Sequence, residues 1–424
     1  MPRACALEVL DAVLRRKRPL GAALADHPGL ARLTGRDRAL ARNLVATTLR
    51  RLGQIDALIA HFLERPLPHK AAAANDVLRL GVCQLVFLGT PPHAAVDTAV
   101  RLAQERGQGP HKGLINAVLR RLADEGPGLA GAQDAPHLNT PPWLWESWSA
   151  AYGAATCRRI ATAHLAEAPL DVTVKADAEV WAERLGGVVL ATGSARRRAG
   201  GRVETLPGYA EGAWWVQDAA AALPIKLLGD VEGRRVVDLC AAPGGKAAQL
   251  AVAGAKVTAV DRSPARIGRL RENMARLGLH IETVNADAVD WRPRKPADAV
   301  LLDAPCTATG TIRRHPDIAR LKTPGDVAAL GGVQARLLKA TAEMVRPGGL
   351  VVYCVCSLQP EECETPVAAA LAAGAPLEPV PMVRGEVAGL DDVPISGGAL
   401  RTLPCHWAEA GGMDGFYAVR LRRV

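Results

Sequence analysis

The sequence predicts a doubly wound α/β domain with a parallel sheet at its carboxyl end, preceded by an all-helical domain and a small α+β unit. Three observations carry that expectation. From about Val231 short apolar runs of strand type alternate with segments of helical periodicity, the rhythm of a parallel sheet wound with helices. Residues 1–125 read as helix after helix, with apolar positions at three- and four-residue spacing. The segment between them mixes a Gly/Pro/Ala stretch with short strands and helices. The boundaries that follow are 1–125 for the helical domain, 126–142 for a linker, 143–215 for the α+β unit and 216–424 for the α/β domain. A chain of 424 residues is long enough for each to bury a core.

The helical part contains ALEVLDAVL, DRALARNLVATTLRRLGQIDALIAHFL, AANDVLRLGVCQLVFL, AVDTAVRLAQE and GLINAVLRRLADE, with Pro66, Pro68, Pro91, Pro92 and Gly109-Pro110 as punctuation. Thr34 and Asp37 stand as caps at one helix start. This part holds 19 Lys and Arg against 11 Asp and Glu, a net of +8 out of +9 for the chain. A basic module on a near-neutral body suggests a polyanion partner. Arg15-Arg16-Lys17-Arg18, Arg36, Arg38, Arg42 and Arg50-Arg51 are the expected phosphate contacts. No aromatic residues interleave with them, which argues against base stacking there.

Residues 126–142 lack hydrophobic periodicity. Trp143, Trp145 and Trp148 then open a helix. Residues 168–177 read as a strand, 178–187 as a helix and 200–218 as short strands and turns, with Arg196-Arg197-Arg198 as an RNA contact or a charged loop. VQDAAAAL (216–223) leads into a helix.

The α/β part turns on RVVDLCAAPGGK (235–246). An apolar strand feeds a small-residue turn, Cys240-Ala241-Ala242-Pro243-Gly244-Gly245, and Lys246 opens a helix. Glycines there let backbone approach a ligand, and the helix start presents free N–H groups. The spacing is that of neither a phosphate-binding GxxxxGK[ST] loop nor GxGxxG. Later strands leave chemistry at the same edge: Asp261 after the second, Asp287 after the third, Asp303 and Cys306 after the fourth, Cys356 and Ser357 after the fifth. A carboxylate suited to ribose hydroxyls, a second suited to an adenine amino group and no phosphate cradle fit S-adenosylmethionine. Two thiols reaching one edge suit addition to carbon 6 of a pyrimidine, methylation at carbon 5 and elimination. A zinc site at Cys354, Cys356 and Cys363 lacks the usual paired spacing, and any single cysteine is ordinarily a small buried hydrophobe.

DLCAAPGGK, VDRSPAR, NADA, LLDAPCTATGTIRRHPDI, RPGGLVVYCVCSLQPEE and MDGFYAVRL together resemble the motif series of the RNA cytosine-5 methyltransferases, the RsmB/Sun (Fmu) family in particular. Residues 1–125, with PPHAAVDTAV and KGLINAVLRRL, resemble the NusB domain that precedes the catalytic body in that family. The resemblance implies a Rossmann-like class I methyltransferase domain, behind a NusB-like RNA-binding domain and a small RNA-recognition domain. It implies Cys356 as nucleophile, Cys306 as the group that assists product release, and Asp303 as the holder of the cytosine edge. Cys240, Ala241, Ala242, Pro243, Gly244, Gly245, Lys246, Asp261, Asp287 and Asp303 would line the S-adenosylmethionine site, with no metal. The substrate implied is a single-stranded or loop cytosine of 16S ribosomal RNA, since a base must be unstacked for this chemistry. Arg313, Arg314 and His315 stand as phosphate contacts or loop residues. One departure is Val355 where the family's motif has threonine, with an extra Cys354 on the same strand face as Cys356. Transfer RNA as substrate, a DNA cytosine methyltransferase using Cys306, and a non-catalytic RNA-binding or antitermination protein are the competing readings. No signal peptide or membrane span is visible, and the nine cysteines form no framework, so a reduced, cytoplasmic monomer is expected.

Overall fold

The computed structural model describes residues 1–197, 201–383, 385–387 and 395–424. They form two compact units, one of residues 1–166 with 312–322 and one of residues 167–311 with 323–424.

The first unit is all-helical. Its principal helices are Pro2–Leu14, Gly35–Arg50, Leu52–Phe62, Ala72–Val82, Pro92–Glu105 and Lys112–Ala132. Their apolar stripes meet in one core through Leu10, Leu44, Ile55, Leu78 and Leu119, all fully buried. Thr34 caps the second of these helices by accepting from the Asp37 amide at 3.3 Å. Gly53 is required for packing, because a Cβ there would lie 1.7 Å from the Leu138 carbonyl oxygen.

The stretch 126–142 differs from the linker expected. The helix that starts at Lys112 runs through Pro127 to Ala132, and Ala135–Asn139, Pro142–Tyr152 and Ala154–Ala163 follow as helices of the same unit. Gly126 fits closely against Val86 and Leu122, so the small residues serve packing rather than flexibility. Small side chains leave no amphipathic stripe to read, which is why periodicity missed the helix.

The expected phosphate contacts are partly engaged inside this unit. Arg15 and Arg16 both pair with Asp11, Arg15 also reaches Asp76, and Arg18 pairs with Asp26 at 2.6 Å. Arg38 caps the carbonyls of Leu30, Ala31 and Leu33. Arg50 donates to the carbonyls of His164, Ala166 and Arg313, and Arg51 to that of Leu165. Arg32, Arg36 and Arg42 are exposed.

The second unit begins with a four-stranded antiparallel sheet of β1 (Leu170–Val174), β2 (Val188–Val189), β3 (Ala195–Arg197) and β4 (Trp214–Val216), in the order β2-β3-β1-β4. Val172, Ala182 and Trp214 form its core. Arg196 is a correction to the RNA-contact reading, for its guanidinium lies buried on Asp171 with both bonds at 2.7 Å. Arg198 lies outside the described residues. The helix expected after 216–223 is a short 3-10 helix rather than an α-helix. Asp218 Oδ1 accepts from the Ala220 amide at 2.9 Å and ties a turn there, and Pro224 then opens a short 3-10 turn, Pro224–Leu228.

The larger sheet comprises β5 (Arg235–Leu239), β6 (Lys256–Asp261), β7 (Glu282–Asn285), β8 (Ala297–Asp303), β9 (Val345–Val355), β10 (Leu377–Pro379), β11 (Ile395–Ser396), β12 (Ala399–Thr402) and β13 (Phe416–Arg423). The order is β11-β12-β13-β9-β8-β5-β6-β7, with β10 beside β13. Strands β5 to β9 are parallel, as expected, and the chain turns back between β5 and β8. Strand β13 runs antiparallel against β9, so the sheet is mixed at that edge. An antiparallel strand can pair there without a crossover helix.

Candidate active site

The switch in strand order opens the crevice at the carboxyl ends of β5, β6 and β8. Strand β5 delivers the AAPGG turn. Cys240 takes φ +59 and Gly244 φ +106, and a Cβ on Gly244 would press within 3.1 Å of Leu270 and Met274. Gly245 then starts the helix Gly245–Val252. Burial, then Asp303 and Asp261, push the Cys240 thiol up to about 12, so this cysteine contributes shape and backbone rather than a thiolate.

Asp261 sits at the end of β6 as expected. Its carboxylate accepts from the Ala242 amide at 3.2 Å and the Ser263 amide at 3.0 Å, and Arg266 approaches it at 3.3 Å. It therefore braces the turn. Asp287 lies two residues beyond β7, exposed, with Oδ1 accepting from the Val289 amide at 2.9 Å. Asp238, on β5, is fully buried with neither carboxylate oxygen hydrogen-bonded to protein. Burial, with Asp303 beside it, holds its carboxyl far above the usual range.

These residues fit S-adenosylmethionine. The turn ends in a helix start at Gly245 with small residues before it, and acidic residues at the strand ends stand in place of a phosphate cradle.

Strands β8 and β9 bring the reactive groups together. They are adjacent and parallel, with Asp303 opposite Cys354. Cys306 and Cys356 follow the two strand ends, and their sulfurs lie 3.5 Å apart. The contact to Cys356 and burial together push the Cys306 thiol well up. Cys354 is fully buried, with Sγ 3.7 Å from Asp303 Oδ1, whereas Cys356 is partly accessible. Cys363 faces Arg401 at 3.2 Å, and among the described residues no group of three or more His, Cys, Asp or Glu could hold a metal ion.

Lys246 has a second role beyond the lining position expected of it. Its ammonium lies 2.8 Å from Asp303 Oδ2 and 4.9 Å from the centre of the Phe416 ring. Burial opposes its charge, but Asp303 outweighs that and holds the ammonium above the ordinary lysine range. Sequence spacing carries no signal of that pairing, because Lys246 and Asp303 stand on different segments. Phe416 of the MDGF run meets Lys246 only through β13. Asp414 and Gly415 belong to the same construction. Gly415 donates to the Gly310 carbonyl at 2.8 Å, so the C-terminal strand seats the loop that follows Cys306.

Arg313 is buried within the first unit, with Arg314 half-buried and His315 exposed. Arg313 is thus no surface phosphate contact.

The parallel sheet with its order reversed between β5 and β8, closed by the antiparallel β13, has the architecture of a class I, S-adenosylmethionine-dependent methyltransferase. Residues 225–422 match the family model described as 16S rRNA methyltransferase RsmB/F, and residues 1–124 match the NusB family. Among relatives, ribosomal RNA small subunit methyltransferase B of Pseudomonas putida is 35% identical over 100% of this chain and 98% of its own. The Vibrio cholerae protein of the same name is 36% identical over 77% of this chain and 79% of its own. The crystal structure of PH0851 covers 100% of this chain and 99% of its own with a TM-score of 0.77 at 22% identity. That of NSun6 from Pyrococcus horikoshii with SFG covers 67% and 98% with a TM-score of 0.55 at 19% identity. The chain belongs to the RsmB/F family of ribosomal RNA methyltransferases. No helix among the described residues is long and apolar enough to cross a membrane.

Proposed function

We propose that the protein methylates carbon 5 of a cytosine in 16S ribosomal RNA through a covalent Cys356–cytosine intermediate. The observation that carries this reading is the pair of thiols 3.5 Å apart at the ends of neighbouring strands. Both cysteines are partly accessible, and Cys356, which stands in the family's nucleophile motif, is assigned the attack. As thiolate, Cys356 adds to carbon 6 of the extruded ring, and the ring's electron pair moves to carbon 5. When bound, S-adenosylmethionine supplies the electrophilic methyl group that this carbon takes. Loss of the carbon-5 proton to a base then restores the ring double bond and expels the Cys356 thiolate. Asp303, held by Lys246, is the proposed acceptor for the cytosine amino edge. The turn from Cys240 to Lys246, with Asp261, Asp287 and Asp303, is the proposed cofactor lining.

The test is methyl transfer from labelled S-adenosylmethionine to unmethylated 16S RNA by wild type, Cys356→Ala and Cys306→Ala. Wild type alone labels cytosine, and Cys306→Ala accumulates a denaturation-resistant protein–RNA adduct. Label on transfer RNA instead would keep the chemistry and overturn the substrate. Full turnover by Cys356→Ala would overturn the nucleophile.

A further inference from the structure

A buried acidic residue that takes no part in the reaction as described is hydrogen-bonded to both loops that carry the thiols. Glu362 follows β9 by seven positions and is fully buried. One carboxylate oxygen accepts from the Thr307 amide at 2.8 Å and from Gln334 Nε2 at 3.4 Å. The other accepts from the Thr307 hydroxyl at 2.5 Å and the Ser357 hydroxyl at 2.5 Å. Thr307 is the neighbour of Cys306, and Ser357 the neighbour of Cys356. Each loop carrying a sulfur is therefore tied to the same carboxylate through the adjacent residue.

The arrangement is closed on every side. Ser357 Oγ also lies 3.3 Å from the hydroxyls of Thr307 and Thr309 and accepts from the Gln359 amide at 3.1 Å. The Glu362 carbonyl accepts from Tyr353 Oη at 2.5 Å, anchoring the clamp to β9. Thr307, Ser357 and Gln334 are all fully buried. A buried carboxylate is costly to desolvate and persists only where donors compensate it. Here the donors come from the two segments whose separation decides whether both thiols reach one base.

We propose that Glu362 is a positioning residue that holds the Cys306 and Cys356 loops in register, so that both sulfurs address the same ring. This deepens the proposed cytosine chemistry and rests on it for its catalytic meaning. The geometric part stands independently, because the sulfur spacing can be measured without RNA.

The experiment compares Glu362→Ala and Glu362→Gln. Phenylarsine oxide bridges two close thiols with release of water, and peptide mass mapping reads the Cys306–Cys356 bridge directly. Calorimetric S-adenosylmethionine affinity reports whether the fold is intact. Loss of the clamp displaces the loops, and a misplacement on the order of 1 Å costs about 100-fold in rate. Glu362→Ala is expected to lose bridging and about 100-fold in kcat, with cofactor affinity and the KM for RNA unchanged. Glu362→Gln keeps the shape and one carbonyl acceptor, and recovers bridging and most of the rate. Wild-type bridging and kcat in Glu362→Ala would overturn the proposal. Should Glu362→Ala not fold, Thr307→Val and Ser357→Ala each remove one hydroxyl donor. Slowed bridging in both supports the clamp, and unchanged bridging in both overturns it. Loss of bridging in Glu362→Ala together with a wild-type protein that never methylates cytosine would uphold the clamp and sink the proposed reaction.

Discussion

Lys246→Met tests the architecture at the point where cofactor turn and reacting edge meet. The wild-type ammonium, 9% exposed, lies 2.8 Å from the Asp303 carboxylate, which is 33% exposed. Methionine refills the stem but leaves the carboxylate without its cation, beside the buried Asp238. Breaking a fully buried pair costs about 3–5 kcal/mol. Water reaching Asp303 reduces that to about 2 kcal/mol, or roughly 4–8 °C in the melting of the second unit. Because Lys246 is held above the ordinary lysine range, its contribution is fully present below about pH 10 and declines only as the folded ammonium deprotonates. The gap between wild type and variant is therefore flat from pH 6 to about pH 9 in calorimetric scans. Turnover falls by about 100-fold because Asp303 loses its orientation. Adding Asp303→Asn removes the orphaned charge and restores most of the stability. A variant as stable as wild type, with no coupling between the two positions, would refute the reasoning.

Two further predictions concern the first unit. His164 is fully buried beside Trp148, and burial, with Arg50 and Arg313, depresses its pKa to about 3. The unfolded chain then binds the extra proton below about pH 6.5, so stability falls with pH by about 1.4 kcal/mol per unit. Urea midpoints measured at pH 7 and pH 5 should show this slope in wild type and lose it in His164→Phe. Gly53→Ala places a Cβ 1.7 Å from the Leu138 carbonyl oxygen. The helices must separate, and thermal melting should register a loss of about 1–3 kcal/mol.

Much of the catalytic region is legible along the chain. Strands β5, β6 and β8 carry short apolar runs because they are largely buried on both faces, and helices between them show clear stripes. Val300 to Asp303 could be read as a strand with chemistry at its end for that reason. The helical stretch through Gly126 and Pro127 was illegible, since its small residues pack without forming a stripe. The basic clusters misled in a different way. Arg50 and Arg196 look alike in sequence to a phosphate contact, but the first caps carbonyls and the second neutralises Asp171. A guanidinium satisfies either role with the same donors, and only its neighbours decide.

What the sequence determined by itself was the set of groups available: two cysteines, the acidic strand ends and a small-residue turn, each placed by strand periodicity at one edge. Local pattern decides which face and which end of a strand a residue occupies. The tertiary structure decided which of those groups meet. Adjacency of β8 and β9 set the sulfurs 3.5 Å apart, and β13 brought Phe416 over Lys246. Glu362 gathered the two cysteine loops onto one carboxylate. Apart from the Ser357–Glu362 bond, those contacts join residues some fifty positions apart or more, and such pairings are fixed by packing and hydrogen-bond satisfaction in three dimensions, where spacing along the chain carries no information.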